Sequence, residues 1–392
     1  MDVREQRWFG VGHSVLADPA EAGAQACRAA LEGRPATLLI VFASMSHATE
    51  EMAAAVHAAA GGDVLMIGCS TSGEYTADGR GRGVVVNAIG GPGFAASVRA
   101  VPYDSMDLYT AGASAASCLD DIDAEHRAVL LLGDGRSTDQ QEMVRGAYSV
   151  AGAQVPLIGG CAGDDMQQTG TRHFFSSGTE VLVLPDAVLG AALGSTSPLG
   201  IGVAHGWHRK GEPMAVTSSE GGKIFELDGE PALDVYARLT GCPPEVIADP
   251  GAFLQFAAVR PLGLARRTGE DIRIIFAADQ DDRSISGLAD TPEGGLVWFM
   301  EADPGAITDA ASAAGSAAVA AVGDADPLGV LVFDCCVRTL ALGPDGTDLA
   351  TQRLGDTLKP IPYGGFYSNG EIARTPGAKG MHHLTVVALA VS

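Results

Sequence analysis

Basic residues are scarce in this chain, and aromatic residues are few. Twenty-five Lys and Arg stand against 48 Asp and Glu, giving a formal net charge of −23, and Phe, Trp and Tyr make up 6% of the sequence. So acidic a chain has little with which to displace counterions from a polyanion, which excludes nucleic acid and anionic membrane surfaces as partners. No apolar run reaches the roughly 20 residues of a membrane span, and the start MDVREQRWFG is too charged for a signal peptide. A soluble, cytoplasmic protein is expected. The seven cysteines (Cys27, Cys69, Cys118, Cys161, Cys242, Cys335 and Cys336) form no CxxC pair and no zinc-type spacing. An odd, scattered set reads as small buried residues rather than a disulfide framework. Also missing are the GK[ST] of a phosphate loop, a GxGxxG at dinucleotide-binding spacing and the GxSxG elbow of serine hydrolases.

What the chain does have is a glycine-rich phrase that appears twice. Residues 64–74 read VLMIGCSTSGE and residues 155–165 read VPLIGGCAGDD. Sliding 36–74 onto 127–165, an offset of 91, pairs Leu39 with Leu130, Ser46 with Ser137, Glu51 with Glu142 and Met52 with Met143. Ile67-Gly68 then falls on Ile158-Gly159. A period near ninety is too long for a solenoid. It predicts an α/β fold whose N-terminal part is a duplicated strand–helix–strand unit with glycine turns at the strand ends, where open α/β sheets bind ligands.

Local signals fill in the elements. Asp18-Pro19 with Glu21 is a helix start, with N-cap, proline at N1 and capping-box acid. The apolar run 37–43 is a buried parallel strand, 49–60 an alanine-rich helix, and 64–67 the next strand. Segments 84–89 and 95–101, joined by Gly-Gly-Pro-Gly, read as a hairpin. The second copy repeats strand 128–132, helix 140–151 and strand 156–158. Beyond about residue 200 the pattern becomes mixed α/β with antiparallel strands, including a long alanine helix capped at Asp303-Pro304 and strands near 328–335, 365–372 and 384–391.

The candidate site residues begin at the two glycine phrases. Gly68, Gly73, Gly159, Gly160 and Gly163 permit positive φ and close approach of a ligand to the backbone. Beside them Ser70, Thr71, Glu74, Asp164 and Asp165 can read a polar ligand or serve as turn caps. Cys69 and Cys161 lie in the same phrases; as nucleophiles they would need an electropositive setting, and theirs is acidic. Arg338 follows an apolar strand, where a guanidinium either clamps a ligand carboxylate or pairs with an internal acid. In GGFYSNGEI (364–372), Phe366 and Tyr367 offer an apolar wall with Asn369 and Glu371 as polar anchors, or the segment is a hairpin with an aromatic plug. Of the histidines, His205, His208, His382 and His383 are hydrogen-bonded structural groups or, singly, an axial ligand to haem iron.

Taken in order, LLIVFAS, VLMIGCSTSGE and PLIGGCAGDD, then AHGWHRKGEPMAVT, KIFELDGEPALDVY, VFDCCVRTLALG, GGFYSNGEI and HHLTVVALAV, the sequence resembles the FIST family. The resemblance divides the chain into a FIST_N-like part, 1–200, and a FIST_C-like part, 201–392. It implies a sensory domain for signal transduction that binds a small polar metabolite, of amino-acid type, as its small-molecule ligand. It also implies a haem-binding nitric oxide sensor as an alternative, and a separate signalling protein such as a histidine kinase as partner. No output module, H-box-like helix or GGDEF phrase is present, so a standalone sensor is expected. The family supplies no catalytic residues; an enzyme with a cysteine nucleophile rests on Cys69 or Cys161 alone.

Overall fold

The computed structural model describes residues 6–103, 106–137, 139–167, 169–266, 270–301, 304–374 and 380–392. The first α/β unit comprises β1 (Trp8–Ser14), α1 (Pro19–Leu31), β2 (Leu38–Ser44), α2 (Glu50–Ala59), β3 (Val64–Thr71), β4 (Glu74–Thr76), β5 (Gly79–Gly81) and β6 (Val84–Gly90). The second repeats that order: β7 (Phe94–Pro102), α3 (Leu108–Ala116), β8 (His126–Asp134), α4 (Gln140–Ala151), β9 (Leu157–Ala162), β10 (His173–Gly178), β11 (Val181–Leu184) and β12 (Ala187–Ser195).

A third copy starts with β13 (Leu199–Ala204) and is then interrupted. The insert carries β14 (His208–Glu220), β15 (Lys223–Leu227), β16 (Glu230–Pro231), α5 (Ala232–Thr240), α6 (Pro244–Ile247), α7 (Pro250–Ala257), β17 (Leu262–Ala265), β18 (Glu270–Arg273), β19 (Ile275–Asp279), β20 (Ser284–Gly287) and β21 (Leu296–Glu301). These strands form one antiparallel sheet with its own core around Val216, Leu227, Tyr236 and Phe253. The third copy resumes with α8 (Pro304–Ala321), β22 (Gly329–Cys335), α9 (Cys336–Leu358, broken at Gly343), β23 (Tyr363–Ser368), β24 (Glu371–Arg374), β25 (Gly380–His382) and β26 (Val386–Val391). The cap expected at Asp303 lies outside the described residues.

The three sheets have the same strand order: β1-β6-β2-β3, β7-β12-β8-β9 and β13-β26-β22-β23, with β2/β3, β8/β9 and β22/β23 parallel. Each is completed by a hairpin from another unit. The first sheet takes β10-β11, the second β24-β25 and the third β4-β5. The exchange is cyclic, so every unit lends one hairpin and borrows another.

Period-2 burial explains the layering. Leu38, Ile40 and Phe42 point into a common core with Leu130, Leu132, Leu331 and Phe333, while Leu39, Val41 and Ala43 face α1 and α2. The second sheet packs outward on α3 and α4, the third on α8 and α9. Both faces of each sheet are covered, which is why the central strands read as unbroken apolar runs. Asp18 caps α1 as expected, accepting from Glu21 N–H at 2.8 Å.

Two local expectations are corrected. Segments 84–89 and 95–101 are not a hairpin: β6 lies between β1 and β2, and β7 pairs with β12 in the next sheet. Gly91 (φ +100°) and Gly93 (φ +81°) turn the chain around the corner between the sheets. The glycine phrases are mostly strand, because β3 runs to Thr71 and β9 to Ala162. Of the five glycines named, only Gly73 (φ +115°) and Gly159 (φ +146°) have positive φ. At Gly68, Gly159 and also Gly365, a Cβ would overlap the carbonyl oxygen of the register partner, Val41, Leu131 and Val332 respectively. Glycine is required there by the close approach of the parallel neighbour.

Candidate functional site

Three crossing segments leave the C-terminal ends of β3, β9 and β23 for the neighbouring sheets, and they meet at one end of the common core. Ser72 N–H donates to Tyr367 C=O at 3.1 Å, Asn369 N–H to Cys161 C=O at 3.0 Å, and Gly163 N–H to Ser70 C=O at 2.9 Å. A second set runs from Ser70 N–H to Arg172 C=O (2.8 Å), Cys161 N–H to Gly370 C=O (2.8 Å) and Tyr367 N–H to Gly73 C=O (2.9 Å). Six bonds close a ring in which each crossing is bonded to both others. Ser72 Oγ donates to Asn369 Oδ1 at 3.2 Å, and the Ser70 hydroxyl donates to Gly163 C=O at 2.8 Å.

Above the ring lies a cleft of about 610 Å³. Ser72, Gly73, Asp165, Met166, Cys336 and Tyr367 line it from the crossings and the start of α9, and Arg80, Arg82 and Asp348 from its sides. Arg82 Nη1 pairs with Asp165 Oδ2 at 2.7 Å, joining the first unit's hairpin to the second crossing. Arg80 pairs with Asp348, joining the same hairpin to α9. Asp165 and Met166 both have left-handed backbone (φ +58° and +60°), an arrangement costing energy that clusters at binding sites. The second Asp165 oxygen is buried without a partner among the described residues.

Behind the cleft are two buried glutamates. Glu74 accepts from Ser44 Oγ (3.1 and 2.9 Å), from the Thr71 hydroxyl and from Gly83 N–H (3.0 Å). Burial pushes its carboxyl up to about 7, against the pull of those donors. Glu371 accepts from Ser368 Oγ at 2.8 Å and Thr385 N–H at 3.3 Å, and burial raises it well above the carboxylate range. Glu74 and Glu371 pair across the sheets with Phe366 and Gly160, and the matching position in the first sheet, opposite Cys69, is His173.

The structure separates the residues singled out in the sequence. Gly73, Asp165 and Tyr367 line the cleft; Ser70, Cys161, Gly163 and Asn369 build the ring beneath it. Asp164 is turned inward, accepting from Thr169 and Gly170 N–H at 2.6 and 3.2 Å. Phe366 is core, its ring 4.5 Å from Phe42 and packed beside Gly160. Arg338 is 1% exposed and fully engaged. It donates to Asp334 Oδ1 at 2.6 Å, Ile307 C=O at 3.0 Å and His205 C=O at 3.4 Å. It borders an inner cavity of about 10 Å³, room for one water, shared with Tyr367 and with Tyr75, whose hydroxyl lacks a partner.

Cys69 and Cys161 are fully buried, and burial raises both thiols far above their ordinary value, the reverse of an activated nucleophile. His208 is exposed on β14, His205 Nδ1 accepts from Trp207 N–H at 3.0 Å and His382 Nε2 bonds Ala373 C=O at 2.9 Å. His383 is buried with Nε2 unpartnered. None of the four lines the cleft or the inner cavity. Among the described residues no three His, Cys, Asp or Glu are disposed to hold a metal ion, and no helix is long and apolar enough to cross a membrane.

Arg80 and Arg82 were not anticipated. Their signal was present in GRGRG (79–83): Arg80 on β5 and Arg82 just past its end stand at i and i+2, a spacing that puts two cations on one side of an extended segment, in a chain with few cations to place. Cys336 and Asp348 carry no comparable mark.

Residues 37–230 match the FIST N domain and residues 232–374 the FIST C domain. The two regions meet inside the insert, beside β16. Two uncharacterised proteins of Mycobacterium tuberculosis, from strain CDC 1551 / Oshkosh and strain ATCC 25618 / H37Rv, are each 28% identical over 388 residues, covering 96% of this chain and 97% of theirs.

Proposed function

The chain belongs to the FIST family, whose domains are sensory, ligand-binding signalling domains, and on that premise we propose that it is a receptor for a zwitterionic metabolite of the amino-acid class. The observation that carries this reading is the pair of ion pairs at the cleft, Arg82–Asp165 and Arg80–Asp348. A free amino acid presents one carboxylate and one ammonium. Its carboxylate replaces an aspartate on an arginine, where a guanidinium offers two parallel donors. Its ammonium then takes the aspartate released, so no charge is left unpaired. The cleft volume, about 610 Å³, is in the range of small-molecule sites.

The same exchange supplies a signal. Each ion pair ties the β4-β5 hairpin to a different unit, so ligand substitution changes how the hairpin is held. A ligand shifts a conformational equilibrium only through such differential contacts. The altered surface is read by a separate signalling protein.

Calorimetric titration with the free amino acids tests the reading. At least one binds, its α-amide and N-acetyl forms bind about tenfold or more weakly, and Arg80→Ala/Arg82→Ala abolishes the heat. Equal binding of the amide, or retained affinity in the double variant, refutes it.

A further inference from the structure

A second cleft, of about 390 Å³, lies at the seam between the insert and the third α/β unit. Stretches flanking both connections between the insert and the body contribute to it. Trp207 follows Gly206 (φ +76°) on the way out, and Glu301 and Ile307 lie on the way back. The insert supplies Leu239, Val259, Arg260, Phe299 and Met300.

Its polar lining is Trp207, Lys210, Thr240, Arg260 and Glu301. Among the described residues the Trp207 indole N–H has no hydrogen-bond partner, although the residue is 5% exposed. A buried donor left unpaired costs about 1–3 kcal/mol unless something fills the position. Arg260 stacks its guanidinium 3.8 Å from the Phe256 ring centroid and donates Nη1 to Phe256 C=O at 2.8 Å. Among the described residues no carboxylate pairs with Arg260. Among the described residues the acid of the cleft, Glu301, pairs with Lys210, which also lines it, at 2.6 Å, and the Thr240 hydroxyl donates to Tyr236 C=O at 2.7 Å. An indole N–H without an acceptor and a guanidinium without a carboxylate partner, set beside apolar walls, complement an acceptor-only group on an apolar body.

We infer that this seam is a second ligand site, for a small organic anion: a carboxylate carried on an aliphatic or aromatic body, bound by Arg260 and the Trp207 indole N–H. It differs in chemistry from the first cleft, where Arg80 and Arg82 are both paired with aspartates. An occupant touches both connecting stretches and the insert, so it fixes the insert against the body. Arg338 holds the same stretches from the inside, through His205 and Ile307 carbonyls, and stands beside Tyr367, which lines the first cleft.

Hexanoate, phenylacetate and hexanamide are the probes, titrated into the full chain at constant ionic strength while tryptophan emission is followed. One of the two carboxylates gives a saturable change that Trp207→Phe removes, although Trp8 and Trp298 remain. Hexanamide binds about tenfold or more weakly, and Arg260→Gln weakens the carboxylate by a similar factor. The Arg80→Ala/Arg82→Ala variant keeps this response, so failure of the amino-acid reading and failure of this one are separate results. Should Trp207→Phe not fold, calorimetry on Arg260→Gln, a partly exposed position, decides alone. No saturable binding of either carboxylate up to about 10 mM, equal affinity for the amide, or unchanged affinity in Arg260→Gln overturns the inference.

Discussion

Glu74 and Glu371 occupy the same place in two copies of one unit. Each is the first residue of the hairpin strand that crosses to another sheet, and each accepts a hydroxyl from the residue three before it, Thr71 or Ser368. Each also accepts the N–H that precedes the unit's last strand, Gly83 for β6 and Thr385 for β26. In the second unit His173 fills the position, donating its Nε2–H to Gly133 C=O at 3.1 Å. Burial, the largest cause, favours the neutral form of all three groups.

The pH dependence of stability follows for Glu74. Its folded carboxyl, at about 7 against an ordinary 4.5, binds a proton that the unfolded chain has already lost. Its contribution is fully present below about 4.5 and is lost as pH rises through 7, a change on the order of 3 kcal/mol. Urea unfolding between pH 4.5 and 8 should show that decline in wild type and a shallower one in Glu74→Gln. Parallel curves for the two proteins would assign the slope elsewhere.

Replacing Gly68, Gly159 or Gly365 with alanine forces a Cβ against a backbone carbonyl that two parallel strands hold in place. Each substitution is expected to cost at least about 3 kcal/mol. Gly33→Ala is the control: nothing lies within 4 Å of its Cβ, and only φ +78° opposes the change, so about 1 kcal/mol is expected. Chemical denaturation of the four variants reads the difference.

Arg338→Met strands Asp334 without its partner. Burial already raises the Asp334 carboxyl, and Arg338 opposes that rise. Loss of the pair should cost about 3–5 kcal/mol at neutral pH. Because the unpaired acid takes up a proton in the folded state, the deficit narrows as pH falls. Hydrogen exchange should quicken throughout 208–301, since the variant also releases the His205 and Ile307 carbonyls. Protection there equal to wild type would show that the insert does not depend on this tie.

All seven thiols are buried, so a thiol-disulfide reagent at neutral pH should find none reacting promptly in the native protein and all seven after unfolding. A Cys69 or Cys161 that reacts within minutes in the folded state would reopen the covalent reading.

Much of this architecture was legible, and the gaps have physical causes. Continuous units revealed themselves: the strand–helix–strand pattern of 36–74 and that of 127–165 slide directly onto each other. The third unit did not, because the insert, from β14 to β21, separates β13 from α8. Its mark is nevertheless written in the crossings, where Thr71-Ser72-Gly73-Glu74 and Ser368-Asn369-Gly370-Glu371 share a hydroxyl, a glycine and a glutamate in register. Hairpin exchange left no local trace, since alternation records which face a strand buries and not which strand lies beside it. Arg338 was ambiguous for a similar reason: sequence placed it just past a buried strand, and only packing shows that its donors are already taken.

The cyclic loan of hairpins sets a schedule for the chain as it leaves the ribosome. The first sheet waits for β10 and β11, the second waits for β24 and β25, and the third, which needs β4 and β5 from the start of the chain, closes only on β26. Nothing short of nearly the whole polypeptide satisfies all three, so the nascent protein must keep its early strand edges unmatched until the end of synthesis. Truncation near the C-terminus should therefore leave no intact partial protein, only a chain with open edges of the kind that aggregates or recruits chaperones.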